Sequence, residues 1–170
     1  MNKSPAALPS LPPGSDVLID ANIFIYGLLA SSPQCVAFLD RCVEEDIHGY
    51  TTVEIVNEVC HRLMAYEALA KGVVSRATAS ALKSAGERLC GLTDYWTQAR
   101  RILDGNFLVM PLDNTRLMGA ARLRTEFPLL TNDSLLLAAA DQFGIPAIAT
   151  NDSDFLAVSW LGVFRPGDVP

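Results

Sequence analysis

The chain reads Leu130-Thr131-Asn132-Asp133-Ser134-Leu135 and, nineteen residues further on, Ala149-Thr150-Asn151-Asp152-Ser153-Asp154-Phe155, so that the tetrapeptide Thr-Asn-Asp-Ser occurs twice. Between the two copies lie an apolar run, a glycine at position 144 and the short segment Ile145–Ala149. This order predicts a loop, a helix over about 132–143, a turn, a strand and a second loop.

The predicted helix and strand bring the two repeated units to the same edge of a sheet. The helix runs roughly 18 Å down the sheet, and a strand of four or five residues climbs about 15 Å back. Asp133 and Asp152 are therefore expected at one level, at the carboxyl edge of a parallel sheet, where open α/β folds bind ligands. Two carboxylates in one crevice repel each other unless a cation or a proton lies between them.

A buried first strand leads to another carboxylate. Val17–Ile19 is a continuous apolar run, which is typical of a strand buried on both faces of a parallel sheet. The run ends at Asp20, and Ala21-Asn22 and the apolar start of a helix follow. Burying a carboxylate at this position costs free energy unless the group serves a function, but Asp is also a favoured helix cap. The residues alone leave both roles open for Asp20.

A second strand and the helix after it supply two further acidic candidates. Gly49–Thr51 is predicted as a short strand, and Thr52 is a typical N-cap for a helix that begins at Val53. Glu54 and Glu58 lie one turn apart on the polar side of that helix. Both are close enough to the helix start to reach the crevice above the strands, and periodicity does not separate them.

The alternation of strands and helices predicts the fold class. The remaining predicted elements are helices over 33–43 and 73–103 with a break at Gly91, a strand at Phe107–Met110, a helix from Asp113 or Asn114, and a marginal edge strand at Gly162–Phe164. This pattern predicts an α/β protein, a three-layer α/β/α sandwich with a mostly parallel sheet of four or five strands.

Composition limits the organisation of the chain. Residues 16–170 are expected to form a single domain, because a chain of 170 residues can bury one hydrophobic core. Residues 1–15 contain four prolines and no continuous apolar stretch, which predicts a disordered Pro-rich leader rather than a secretory signal. No apolar run is long enough to span a membrane. The four cysteines lack a metal-binding spacing and are expected as buried thiols of a cytoplasmic protein.

The charge is unevenly distributed along the chain. The net charge is −6, but residues 62–101 carry seven Lys or Arg residues against three acidic ones. This basic helical stretch, at about 62–103, is either a solvated helix face or a surface that follows a phosphate backbone. For the second role, Arg62, Arg100 and Arg101 are the candidates for contact with the phosphates.

Acidic side chains thus collect at equivalent places after the predicted strands. They are Asp20, Glu58, Asp133 and Asp152, with Asp154 as a fifth. A set of carboxylate oxygens favours a hard cation, Mg²⁺ or Mn²⁺. Such an ion activates a water for attack on a phosphodiester and stabilises the charge on the phosphate oxygens. The chain has no Walker loop and no G-x-G-x-x-G motif that competes with this interpretation.

Four motifs of the chain, taken in order, resemble those of the PIN-domain nucleases. They are Leu18-Ile19-Asp20-Ala21-Asn22 followed by Ile-Phe-Ile, Thr51-Thr52 with Asn57-Glu58-Val59, Asp133 ahead of Leu-Leu-Leu-Ala-Ala-Ala, and the stretch from Ala149 to Phe155. The similarity covers about residues 16–165 and is closest to the VapC-type toxins of prokaryotic toxin–antitoxin pairs. Each motif is short, and the ordered set makes the resemblance specific.

The resemblance implies a Mg²⁺- or Mn²⁺-dependent endoribonuclease that cleaves RNA with a metal-activated water and leaves a 5′-phosphate and a 3′-hydroxyl. The matching positions are Asp20, Glu58, Asp133 and Asp152 for the catalytic and metal-binding acids, and Asn22, Thr150 and Asp154 for supporting residues. The family spacing favours Glu58 over Glu54. The resemblance also implies a homodimer and a cognate antitoxin whose tail blocks the acidic crevice.

Two other functions are compatible with the same residues. A catalytically inert PIN-like module would bind RNA or a protein at the crevice without cutting it. An aspartate-nucleophile phosphatase would use Asp20 to form a phospho-aspartate. Such phosphatases usually carry a second Asp two residues later, where this chain has Asn22.

Overall fold

A computed structural model describes residues 4–169, and this range contains six strands and seven α-helices. The strands are β1 (Ala6–Ala7), β2 (Asp16–Ile19), β3 (His48–Thr52), β4 (Phe107–Met110), β5 (Ala147–Ala149) and β6 (Gly162–Arg165). The helices are α1 (Ala21–Leu28), α2 (Pro33–Val43), α3 (Val53–Ala70), α4 (Ala79–Ala85), α5 (Asp94–Asp104), α6 (Asn114–Glu126) and α7 (Thr131–Phe143). Short 3₁₀ segments cover Leu8–Ser10, Gly86–Gly91 and Asp154–Ala157.

All six strands are parallel and form one sheet in the order β1-β6-β5-β2-β3-β4. The central strand β2 is buried from Val17 to Ile19, as its apolar run predicts. Ile19 lies beside Ala149 of β5, so the two central strands end at the same level. Their carboxyl ends therefore deliver Asp20 and Thr150 to one edge of the sheet.

The helices cover the sheet in two groups. One group consists of α1, α2, α3 and α5, in which α1 packs on both α2 and α3, and α3 packs on α5. The other group is formed by α6 and α7, which pack on each other. Parallel strands that are apolar on both sides need a helical layer on each face. The predicted three-layer α/β/α sandwich is confirmed.

The N-terminal segment is part of the sheet, which gives six strands rather than four or five. β1 pairs with β6, where Ala7 lies beside Arg165, so β6 is not the edge strand that the sequence predicted. Leu8 and Leu11 are buried in the main core. Burial of these two leucines anchors the segment despite its prolines, and the prediction of a disordered leader is wrong for residues 4–15. The first three residues of that leader lie outside the described residues.

Local signals in the sequence mark most element boundaries. The Thr52 hydroxyl accepts a hydrogen bond from the backbone N–H of Ile55 at 3.3 Å and caps α3, as predicted. Gly144 ends α7 in the left-handed conformation, with a φ of 68°, which glycine adopts at little cost. β5 begins two residues later than predicted, at Ala147, because Pro146 has no backbone N–H to give to a neighbouring strand.

The cysteines follow the prediction only in part. Cys35 and Cys42 are buried, and burial raises the pKa of these thiols to about 11 and about 12. Cys60 is half-buried and Cys90 is exposed, so the prediction of buried thiols is wrong for Cys90.

The helices fall short of what a membrane span requires in length and hydropathy. No single helix within residues 4–169 is long and apolar enough to cross a membrane. Together, α1 and α2 reach the required length and hydropathy, but the pair is bent by 102° at its break.

Candidate functional site

Three carboxylates meet where the two repeated units come together. Asp133, Asp152 and Asp154 each place one carboxylate oxygen within 4.8 Å of the others. Asp133 lies in the first turn of α7, and the other two follow the end of β5. Asp133 and Asp152 are half-buried and Asp154 is exposed. The predicted juxtaposition of Asp133 with Asp152 is present in the structure, and it follows from the matched lengths of the intervening helix and strand.

The loop after β5 is folded by hydrogen bonds to its own side chains. The backbone N–H of Asp154 donates to Asp152 Oδ1 at 2.8 Å, and the N–H of Asp152 donates to Thr150 Oγ1 at 2.9 Å. The Thr150 N–H donates to the carbonyl of Phe164 in β6 at 3.0 Å. Short polar side chains fold such turns because they bond to the backbone two residues away. The loop thus leaves the sheet with a fixed direction.

Asp20 caps a helix, which is one of its two predicted roles, and it also lies close to the other acids. Its Oδ1 accepts from the backbone N–H of Ala21 at 2.6 Å, at the start of α1. Its Oδ2 accepts from the Thr150 hydroxyl at 2.6 Å and from the Asn22 side-chain amide. The Asn22 Oδ1 in turn accepts from the N–H of Asn151 at 2.9 Å. Asn22 and Thr150, the two predicted supporting residues, therefore both contact Asp20 directly.

The acids are coupled electrostatically. Burial raises the pKa of Asp20 to about 6; its hydrogen bonds oppose this shift, and the charges of Glu58 and Asp133 add to it. Burial also raises the pKa of Asp133, as do the charges of Asp152, Asp154 and Glu58. Such mutual effects require that the carboxylates lie close together in a poorly solvated place. Asp133, Asp152 and Asp154 thus meet within 4.8 Å, Asp20 is linked to Asp152 through Thr150, and the charge of Glu58 acts on Asp20 and Asp133. These five acids form the acidic cluster.

The structure separates Glu58 from Glu54. The charge of Glu58 acts on the acidic cluster, and its Oε1 lies 3.8 Å from Arg62 Nη1 one turn further along α3. Glu54 instead faces Arg116 of α6, with 3.6 Å between Oε2 and Nη1, and the Arg116 side chain is only 1% exposed. Glu54 therefore belongs to the contact between α3 and α6, which no periodic pattern in the sequence could reveal.

An open polar cavity of about 330 Å³ lies beside the acids. It is lined by Asn22, Tyr26, Arg62, Asn151, Asp152 and Ser153. Of the three arginines predicted to contact RNA, Arg62 lines this cavity. Arg100 and Arg101 do not line it, and both are exposed on α5.

Sequence reasoning missed two residues that shape the site, Asn151 and Arg165. Arg165, at the end of β6, donates from Nε to Asn151 Oδ1 at 2.6 Å and from Nη2 to the Asn151 carbonyl at 2.7 Å. The repeated tetrapeptide contains Asn151 and could have drawn attention to it. Arg165 lies in no motif, so only the structure identifies it.

The chemistry of the cluster fits a divalent cation. Among the ion pairs within residues 4–169, none involves Asp20, Asp133, Asp152 or Asp154. Several half-buried carboxylates without a basic partner repel one another unless a cation or protons compensate their charge. A site made only of oxygen ligands suits a hard ion such as Mg²⁺ or Mn²⁺.

Several solved structures have a similar fold, and three of them are as follows. A chain of the VapBC2 complex from Rickettsia felis, bound to a DNA fragment from its promoter, is 14% identical with a TM-score of 0.59, covering 88% of this chain and 98% of that one. A toxin–antitoxin complex from Klebsiella pneumoniae gives 17% identity, a TM-score of 0.54 and coverages of 85% and 94%. FitAcB from Neisseria gonorrhoeae is 24% identical with a TM-score of 0.52, covering 88% of this chain and 97% of that one. At these identities the likeness concerns the fold.

Comparison by sequence identifies the family. A search of curated proteins gives no match, whereas the family model of the PIN domain matches residues 17–161. The matched residues include all five acids of the cluster, which supports a nuclease of the PIN type. Because this match spans most of the sequence and agrees with the fold, the chain belongs to the PIN domain family.

Proposed function

We propose that this protein is a Mg²⁺- or Mn²⁺-dependent endoribonuclease of the VapC kind, which hydrolyses phosphodiester bonds of RNA. The observation that carries the proposal is the meeting of Asp133, Asp152 and Asp154 within 4.8 Å, close to the half-buried Asp20. An inert binding domain has no need to keep such a repulsive cluster without a basic partner.

Each acid has a defined part in this proposal. Asp20, Asp133 and Asp152 would hold the divalent ion together with Glu58, and Asp154 would assist at the exposed rim. The bound ion supplies an activated water and offsets the charge that develops on the phosphate oxygens. The raised pKa of Asp20 and of Asp133 means that part of the binding free energy goes into removing protons from these carboxylates.

Neighbouring residues position the acids and the substrate. Asn22 and Thr150 hold Oδ2 of Asp20 and so fix the direction of its carboxylate. Arg62 pairs with Glu58 and lines the polar cavity, where a guanidinium can bind a phosphate of the RNA strand. The exposed Arg100 and Arg101 on α5 would attract the same strand further away.

Partners and cellular location belong to the same proposal. One of the similar folds comes from a toxin–antitoxin complex and another from the VapBC2 complex, which supports a cognate antitoxin for this chain. Met118 on α6 and Leu130 just before α7 are 75% and 73% exposed, and burial of these apolar side chains in a homodimer would be favourable. The free cysteines are compatible with a reducing cytoplasm.

The proposal predicts cleavage of a single-stranded RNA with Mn²⁺ or Mg²⁺ and no cleavage with EDTA. Asp133→Asn should lower the cleavage rate by roughly a hundredfold or more, because it removes a charged ligand from the ion. The rate is measured by gel electrophoresis of an end-labelled RNA. Asp141→Asn is the matched control, because Asp141 lies on the same helix and forms a surface ion pair with Arg122 at 2.7 Å.

The outcomes separate the proposal from its alternatives. Cleavage that persists in EDTA, or that Asp133→Asn leaves unchanged, would contradict the assignment of the metal site. A protein that binds RNA but neither Mn²⁺ nor Mg²⁺ at millimolar concentration would instead be an inert binding module.

The basic surface of α5 makes a separate prediction about RNA binding. Charge reversal at both Arg100 and Arg101 should weaken binding and make its dependence on log salt concentration shallower by about 1.4, since each phosphate contact with a single strand contributes about 0.7. Fluorescence anisotropy at several salt concentrations measures this slope.

The basic-surface prediction has a matched control in single charge reversals. Arg100→Glu is compared with Arg122→Glu, because both arginines are exposed and pair with an acid one turn further on. Arg122 lies on α6, in the other helical layer. Equal slopes for the two variants would rule out a specific role for α5.

A further inference from the structure

One arginine at the end of β6 holds the loop that carries Asp152 and Asp154. Arg165 bonds to Asn151 twice, once to its side chain at 2.6 Å and once to its backbone carbonyl at 2.7 Å. A planar guanidinium that makes two bonds to one residue fixes both the position and the rotation of that residue. Arg165 is half-buried, so water competes only partly for these bonds.

Asn151 transmits this constraint to the acids on both sides. It lies between Thr150, which bonds to Asp20, and Asp152, which belongs to the three-carboxylate group. Its backbone N–H also donates to the Asn22 side chain at 2.9 Å. Asn151 is therefore held from two directions, by Asn22 on one side and, on the other, by the two hydrogen bonds from Arg165, which form an arginine fork.

The sheet fixes the backbone from which Arg165 extends. Ala7 of β1 lies beside Arg165, and the carbonyl of the preceding Phe164 accepts from the Thr150 N–H at 3.0 Å. Position 165 and β1 both lie outside residues 17–161, which match the PIN family. The last strand, which β1 flanks, thus supports the acidic loop through Phe164 and Arg165, two residues that lie outside the four motifs.

We propose that Arg165 is a positioning residue for the divalent-ion site, which holds Asn151 so that Asp152 and Asp154 present their carboxylates beside Asp133. The inference rests on the proposed function in one respect, that the site binds a divalent ion. Without the fork, repulsion among the carboxylates would spread the loop and weaken ion binding. Loss of a residue that orients metal ligands typically lowers metal affinity by about 10- to 100-fold.

Arg165→Met should therefore lower the affinity for Mn²⁺ by about tenfold or more, measured by calorimetry or by the electron paramagnetic resonance of free Mn²⁺. Arg165→Lys should behave like the Met variant, because an ammonium cannot form the planar fork. Arg41→Met is the matched control. Arg41 likewise makes two hydrogen bonds, one to Asp46 Oδ2 at 2.6 Å and one to the carbonyl of Leu11 at 2.9 Å. It lies in the last turn of α2, which leads to the amino end of β3, whereas the acids lie at the carboxyl end of the sheet.

Two further measurements separate positioning from a general loss of stability. Asn151→Ala should lower Mn²⁺ affinity on its own, and adding it to Arg165→Met should cost little more, because both changes break the same contact. In EDTA, Arg165→Met should speed hydrogen exchange at the amides of Asn151 and Asp152 while leaving the central strand β2 protected.

Each result of these experiments has a different meaning. Wild-type Mn²⁺ affinity in Arg165→Met would overturn the inference, and wild-type affinity in Arg165→Lys would show that charge, not the fork, is what matters. Unchanged exchange at Asn151 and Asp152 would also overturn it. If the wild type binds Mn²⁺ but cleaves no RNA, the proposed nuclease function fails while the role of Arg165 stands.

Discussion

Replacing Asp20 by Asn should almost abolish metal-dependent cleavage and, at the same time, make the metal-free protein more stable. The first effect follows from the loss of a charged ligand in the acidic cluster, and we expect the cleavage rate to fall by roughly a thousandfold. The second follows from burial, which raises the pKa of the Asp20 carboxyl to about 6 with help from the nearby charges of Glu58 and Asp133. The ionised group is therefore unfavourable in the folded protein without a metal.

The stabilising effect of Asp20→Asn should depend on pH. Between the ordinary pKa of 3.8 and about 6, the folded state keeps a proton that the unfolded state releases. The contribution of Asp20 to stability is thus fully present below pH 3.8 and is lost as the pH rises through 6. The Asn variant has no such loss of stability. Its free energy of unfolding should therefore rise above that of the wild type between pH 3.8 and about 6, and the difference should reach about 1–3 kcal/mol at higher pH.

Urea unfolding in EDTA at several pH values measures the stability difference. Asp113→Asn is the matched control, because Asp113 also caps a helix and accepts from a backbone N–H at 2.7 Å, yet its pKa is lowered and not raised. The control should be neutral or destabilising. A destabilised Asp20→Asn variant in EDTA at neutral pH would show that the charged carboxylate is well accommodated without metal. Unchanged cleavage would remove Asp20 from the site.

The juxtaposition of the acids could be predicted because it depends on regular geometry. The helix from Thr131 and the strand that ends at Ala149 have nearly equal lengths, so their flanking aspartates must return to one edge. The buried run Val17–Ile19 placed Asp20 at the same edge by the same logic. The positions of residues on or beside regular elements therefore follow from periodicity and rise per residue.

Contacts without a periodic pattern could not be predicted. Arg165 reaches Asn151 through a side chain whose direction depends on the packing of β6. Glu54 and Glu58 share one helix face in a periodic reading, and only the position of α6 decides which one meets Arg116. The pairing of Ala7 with Arg165 joins residues at opposite ends of the chain, and a proline-rich segment gives no strand signal.

Glu67→Gln should cause a large loss of stability, although Glu67 is not part of the acidic cluster. The Glu67 side chain is 6% exposed and accepts from Lys71 Nζ at 2.6 Å and from the backbone N–H groups of Thr93 at 3.0 Å and Tyr95 at 2.8 Å. It therefore acts as the cap of α5, whose own N-cap residue Thr93 makes no side-chain hydrogen bond to the helix. A negative charge at a helix start is favourable.

The magnitude and the pH dependence follow from these contacts. Burial alone would raise the pKa of Glu67, but the hydrogen bonds from Lys71 and the backbone N–H groups outweigh it and lower the pKa to about 2. An amide at this position loses the charge and turns a donor toward other donors, which should cost about 2–4 kcal/mol. Because the folded pKa is depressed, this stability is present above the ordinary pKa of 4.5 and is lost as the pH falls toward 2.

Urea unfolding between about pH 2 and pH 7 measures the free energy of unfolding of the wild type and of Glu67→Gln. The gap between the two values should be constant above the ordinary pKa of 4.5 and should close in acid. Glu126→Gln is the matched control, because Glu126 also pairs with a basic residue at helical spacing but is 46% exposed, and its loss should cost less than about 0.5 kcal/mol. Since α5 carries Arg100 and Arg101, Glu67→Gln should also weaken RNA binding by loosening the helix that presents them. An equal loss of stability in both variants, or a gap that persists in acid down to a pH of about 2, would show that Glu67 does not hold α5 through its charge.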